Sequence, residues 1–156
     1  MENLEALLAE QPFLKGLSEA HIKLFSDCAR DVTFEAGQTI IKQGDPAEKF
    51  YLIRHGRVAV QIYAEGKGAL TIETLQEGDV LGWSWIVAPH NWRFDAKAMV
   101  LTRAVGFDAR CVRDKCEKNH DVGYELMKRF TNVIAERLEA TRFQLLDVYG
   151  QHVRSR

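Results

Sequence analysis

Residues 49–66 read KFYLIRHGRVAVQIYAEG, two apolar runs separated by a single glycine. In RVAVQIY, Val58, Val60 and Ile62 fall on one face and Arg57, Ala59 and Gln61 on the other, the alternation of a half-buried antiparallel strand. TIIKQG (39–44) and ALTIETLQEG (69–78) on either side have the same form, and glycines at 37, 44, 56, 66, 68, 78 and 82 mark corners at short intervals. Closely spaced strands with glycine corners predict a mainly β, α+β fold: a jelly roll (double-stranded β-helix) or related cupin-like barrel over residues 30–108.

The flanks have a different period. Within residues 1–29, Leu4, Leu7, Leu8, then Phe13, Leu14, Leu17, then Ile22, Leu24 and Phe25 recur at helical spacing, with Ser18 placed to cap the later run and a break at Pro12 or Gly16. Residues 109–149 return to helix. Met127, Ile134, Thr141 and Val148 recur every seven residues, with Thr131, Leu138 and Leu145 four positions after the first three, an a/d seam. A helix from Val122 to Val148 would be about 40 Å long at ~1.5 Å per residue, more than one side of a small barrel covers. The excess predicts a homodimer through Met127, Ile134, Leu138, Thr141 and Leu145, against the alternative that the whole stripe packs on the chain's own barrel.

Composition narrows the function classes. At 156 residues, 46% hydrophobic and 28% charged, the chain reads as one globular domain, and a net charge of -1 supplies no general attraction for nucleic acid. Direct nucleic-acid binding is not expected. The three cysteines, 28, 111 and 116, include no C-x-x-C pair, so they read as reduced thiols in a cytosolic protein, and Cys111, Cys116 and His120 lack the usual zinc-ligand spacing. No metal is expected. The amphipathic start MENLEALLAEQ and the lack of a long apolar run predict a cytoplasmic chain with no membrane association. Histidines 21, 55, 90, 120 and 152 are scattered, with no nucleophile or phosphate-loop motif beside them, which argues against an enzyme.

The tract GWSWIVAPHNWRFDAKA (82–98) holds all three tryptophans. Together with FLKGLSEAHIKLFSDCARDVTFEAGQTIIKQGDPAEKFYLIRHGRVAV (13–60) and GDVLGW (78–83), it resembles the cyclic nucleotide-binding domain family, the sensor half of the catabolite activator protein and its relatives. The resemblance runs from residue 12 to about 146 and implies two N-terminal helices, the jelly roll and a long dimer helix. It also implies that residues 82–98 form the phosphate-binding cassette, in which backbone amides at a helix start and an arginine hold the cyclic phosphate. Matched position by position, the family's ribose-binding glutamate falls on Trp83, its phosphate-binding arginine on Trp92 and the small residue after that on Arg93.

An indole is a donor only, so Trp83 cannot accept from a ribose hydroxyl as a carboxylate does. The resemblance therefore implies a regulatory, non-enzymatic module that does not hold cAMP or cGMP in the usual way. Two readings of the tryptophans stay open: indoles that fill the nucleotide volume, or an aromatic-walled pocket for a small anionic or aromatic ligand. Such a ligand would meet Gly82, Trp83, Ser84, Trp85, Trp92 and Phe94 and use Arg93 for its charge, unless Arg93 pairs with Asp95 on the surface. No cofactor is named by these residues. Alternatives to the sensing module are the sensor part of a Crp/Fnr-type transcription regulator, whose helix-turn-helix the seven residues GQHVRSR after Tyr149 do not provide, and a ligand-free interaction domain.

Overall fold

The computed structural model describes residues 3–154, with side chains as far as residue 150. The ends of the expected 1–156 domain, including most of the GQHVRSR side chains, lie outside the described residues. Helix α1 (Leu4–Glu10) is capped by the Asn3 side chain, which accepts from the Glu5 N–H, and a 3-10 turn (Pro12–Leu14) follows. Helix α2 (Glu19–Ser26) begins at Ser18, whose hydroxyl accepts from the His21 N–H, as its position ahead of the apolar run predicts.

Eight strands come next: β1 (Ala29–Phe34), β2 (Thr39–Ile41), β3 (Lys49–His55), β4 (Arg57–Ala64), β5 (Gly68–Gln76), β6 (Val80–Leu81), β7 (Asp95–Ala98) and β8 (Thr102–Asp108). They form two four-stranded sheets, ordered β1-β8-β3-β6 and β2-β7-β4-β5, with every strand pair antiparallel. The inner faces bury Ile41, Leu52, Val58, Val60, Leu75, Val80, Leu81, Val105 and Phe107 in one continuous core with residues of the helices. This is the jelly roll of the sequence reading. Gly56 makes the β3–β4 corner at φ 114°, and a Cβ there would stand 2.7 Å from the Thr102 Cα, so only glycine fits.

Strand β4 departs from the simple alternation. Ala59 is as buried as Val58 and Val60, while Ile62 is exposed. Pairing shifts between Val60 and Gln61, where Val60 faces Glu73 and Gln61 faces Thr71, so β5 carries an extra residue and the hairpin twists out of the core.

Helix α3 (Ala109–Lys118), capped by the Asp108 carboxylate on the Cys111 N–H, leads through Asn119 into helix α4 (His120–Arg154). No helix among the described residues is long and apolar enough to cross a membrane.

The reduced-thiol reading is overturned. Cys28 and Cys111 form a disulfide and only Cys116 is free, which also removes Cys111 from any metal site. Spacing along the chain hid the pair, because register creates it. Ala29 pairs with Phe107, the Asp108 N–H donates to the Cys28 carbonyl at 2.9 Å, and the first turn of α3 then brings Cys111 to a Cα separation of 5.6 Å from Cys28.

Candidate functional site

Strand β6 ends at Gly82, where φ is 100°, and the chain makes one turn over Ser84–Ile86 before looping through Pro89 to β7. The Ile86 N–H donates to the Trp83 carbonyl at 3.1 Å, closing that turn. The far side of the loop is stitched to the Gly44-Asp45-Pro46 corner. Trp92 N–H donates to the Asp45 carbonyl and Gly44 N–H to the Trp92 carbonyl, both at 2.9 Å, while the Ala47 N–H donates to the His90 carbonyl. His90 itself takes φ 63°, a left-handed conformation that, among residues other than glycine, asparagine, aspartate and histidine adopt most readily. The Asp95 carboxylate accepts from the Gln43 N–H at 2.7 Å and ties the start of β7 to the segment after β2.

These contacts turn Trp92 inward. Its side chain is 6% exposed and packs on Gly82 so closely that a Cβ added there would lie 2.5 Å from its Cη2 and 2.7 Å from its Cζ3. Phe94 is buried beside it, ring centroids 5.9 Å apart. The face of the glycine is therefore covered by an indole. Trp83 is half-buried against the core.

Trp85 belongs to the core proper. At 1% exposure it stacks on Phe50 (4.7 Å, 11°), which stacks in turn on Phe107 (4.7 Å, 6°), while Phe130 of α4 meets both Trp85 and Phe50 edge-on. Each such pair contributes about 0.5–1.5 kcal/mol beyond the area it buries. The turn is also held from α3, where Arg113 donates to the Trp85 carbonyl at 2.9 Å. Two polar atoms in this dense region, Ser84 Oγ and Trp85 Nε1, are buried with no hydrogen-bond partner among the described residues.

Gly82, Ser84, Trp85, Trp92 and Phe94 are thus brought together in the interior, with Trp83 at their edge. Arg93 is not among them. Alternation along the chain into β7 turns it outward, where it is exposed, and the salt bridge with Asp95 does not form among the described residues. Sequence reading missed Phe50, Phe130 and Arg113, which lie far from the tract in the chain and carry no local signal.

Helix α4 presents two stripes. Val122, Leu126, Phe130, Val133 and Arg137 face the barrel, and Gln144 continues the line by donating to the Ile72 carbonyl at 3.2 Å. Arg137 also donates to the Val80 carbonyl and pairs with Glu73 at 3.1 Å. Burial is the main force on both groups, pushing the Glu73 carboxyl up and the Arg137 guanidinium down, with their mutual attraction opposing it. The heptad stripe lies about 100° around the helix from the barrel stripe. Along it Met127 and Ile134 are half-buried, Thr131 and Thr141 bond back to the Met127 and Arg137 carbonyls, and Leu138 and Leu145 are 51% and 55% exposed.

A sequence model described as the cyclic nucleotide-binding domain matches residues 31–119. The chain is 36% identical over 78 residues to the cAMP-dependent protein kinase regulatory subunit of Schizosaccharomyces pombe, covering 50% of this chain and 18% of that protein. It is 23% identical over 145 residues to the CRP-like cAMP-activated global transcriptional regulator of Mycobacterium tuberculosis, covering 93% of this chain and 63% of the other. It therefore spans less than two thirds of either relative. Among solved structures, the regulatory subunit of a cAMP-independent protein kinase A from Trypanosoma brucei has the same fold, with a TM-score of 0.67 at 23% identity over 81% of this chain and 45% of that one. The matched span takes in almost all of the jelly roll and helix α3, more than half of the chain, and the chain belongs to the cyclic nucleotide-binding domain family, a family of regulatory domains.

Proposed function

We propose that this chain is a non-enzymatic regulatory module whose cassette is occupied by its own tryptophans and does not hold cAMP or cGMP in the family manner. The observation that carries this reading is Trp92 packed onto Gly82, an apolar ring where the resemblance places the phosphate-binding arginine. Replacing that arginine removes a charge-assisted hydrogen bond, and a tryptophan at the glutamate position removes the acceptor for the ribose hydroxyl. The remaining arginine, Arg93, points to solvent. The Trypanosoma brucei subunit, described as cAMP-independent, is a structural relative in keeping with this reading.

The module acts as a homodimer through the heptad stripe of α4. Support comes from the division of labour on that helix: one stripe is spent on the barrel, while Leu138, Leu145 and Val148 on the other are more than half exposed. A second reading, a sensor for a small anionic or aromatic ligand, is favoured by the buried Ser84 hydroxyl and Trp85 indole N–H, which have no partner among the described residues. It requires Trp92 to swing off Gly82.

Titration calorimetry of the full chain with cAMP and with cGMP tests the main reading. No heat of binding is expected up to about millimolar nucleotide, and micromolar affinity would overturn it. Mass spectrometry of compounds released from natively purified protein separates the two readings, since the sensor requires a stoichiometric ligand.

A further inference from the structure

Residues Cys28 and Cys111 join the end of the N-terminal helical segment to the first turn of α3, across 83 residues of chain. A cleft of about 340 Å³ opens on this bond, lined by both cysteines, by Arg30 and Lys49, and by Asp27 and Asp108. Both carboxylates are engaged, Asp27 with Lys115 at 3.6 Å and Asp108 as the cap of α3. The two sulfurs differ in access. Cys28 is 7% exposed, whereas Cys111 is half-buried on the cleft wall.

Helix α3 is also the part that grips the cassette from outside, through Arg113 on the Trp85 carbonyl, and it packs on α4 where Gly123 meets Cys116. The disulfide and the Lys115–Asp27 pair are what tie the other side of α3 to the N-terminal segment. We propose that the Cys28–Cys111 bond is a reversible thiol–disulfide exchange site, opened by a dithiol reductant, whose state sets how firmly α3 holds the cassette turn.

The exchange balances in two steps. A thiolate of the dithiol attacks Cys111 Sγ, forming a mixed disulfide as the Cys28–Cys111 bond breaks, and Cys28 leaves as a thiolate in a cleft carrying Arg30 and Lys49 before taking a proton. The reductant's second sulfur then attacks the mixed disulfide and releases Cys111 as a thiol. Two electrons and two protons pass from the reductant, which leaves as a disulfide, to the protein. Cys116 stands aside, because burial first and Glu117 second push its thiol up and keep it protonated.

The test uses the full chain, purified without reductant, acid-quenched, denatured and alkylated with N-ethylmaleimide for intact mass. One alkylated thiol is expected before treatment, three after native exposure to dithiothreitol, and one again after re-oxidation. Three thiols at the outset, or a bond that yields only after denaturation, would overturn the proposal. Hydrogen exchange of the native reduced protein then reads the coupling: peptides covering residues 83–86 and 109–118 are expected to exchange several-fold faster than in the oxidised protein, and unchanged exchange there would sink it. Cys116→Ser is the control and should preserve every one of these changes; loss of them in that variant would assign the exchange to the wrong cysteine.

Discussion

The indole of Trp92 lies against Gly82 at a distance that leaves no room for a Cβ, 2.5 Å from the nearest ring carbon. Glycine is required twice over at this position, by the indole and by its φ of 100°. Gly82→Ala should therefore destabilise the protein by more than the roughly 1–2 kcal/mol that left-handed backbone alone costs. In a Trp92→Ala background the same substitution should fall back to that backbone cost. Urea denaturation of the four proteins measures the coupling, and additive effects would show that the two residues do not press on one another.

Leu138→Glu tests the assembly. Leu138 sits midway along the heptad stripe, away from the barrel and 51% exposed, so a charge there is harmless to a monomer and unpaired in a dimer seam. Light scattering at tens of micromolar should give twice the chain mass for the parent and the chain mass for the variant, with unchanged circular dichroism. A monomeric parent would refute the dimer.

Breaking the covalent link should cost stability even where the native contacts survive. Closing a loop across 83 residues removes enough denatured-state entropy for an upper value of about 4.5 kcal/mol in the chain-entropy account. Cys28→Ala with Cys111→Ala should unfold at lower urea by a difference approaching this value. A loss below about 1 kcal/mol would show that the chain-entropy account does not hold for this loop.

Glu73 gives a pH dependence of unusual sign. Burial, opposed by Arg137 and reinforced by Asp79, raises its carboxyl in the folded state, so the folded protein holds the proton to higher pH than the unfolded chain does. Its contribution is thus fully present below the ordinary carboxylate range and declines as pH rises through the raised folded value. Relative to the parent, Glu73→Gln should become more favourable from acid toward neutral pH, while its amide oxygen still accepts from Arg137. An exposed salt bridge at this site would produce the opposite slope, and denaturation series at several pH values distinguish the two.

The sequence carried the architecture because each strand announces its own alternation and each corner its own glycine, and Ser18 marked a helix start at a single position. It also marked the tract 82–98, most of whose large aromatic side chains the structure buries. What it did not carry depends on register. Trp92 and Arg93 are neighbours, and which one turns inward is decided by backbone bonds from Gly44 and Asp45, about fifty residues away. Cys28 meets Cys111 only because β1 pairs with β8. The aromatic stack joins Phe50, Trp85, Phe107 and Phe130 from four separate elements, and no local pattern connects them.

Ser84 separates a filled cassette from a responsive one. Its hydroxyl is buried with no partner among the described residues, so it bears a desolvation cost with no bond in return, on the order of 1–3 kcal/mol for a hydroxyl. Ser84→Ala removes that oxygen from a site whose backbone any residue can follow, and its cavity is a single atom. The variant should therefore be as stable as the parent or more stable, by up to about 1 kcal/mol once the small packing loss is subtracted. Were the hydroxyl to serve a ligand carried through purification, the parent would instead lose stability on exhaustive dialysis and the variant would not. Thermal denaturation of both proteins before and after dialysis decides the matter: equal, dialysis-independent curves with Ser84→Ala at or above the parent fit a cassette filled by Trp92, whereas a parent that weakens on dialysis while Ser84→Ala does not would exclude it.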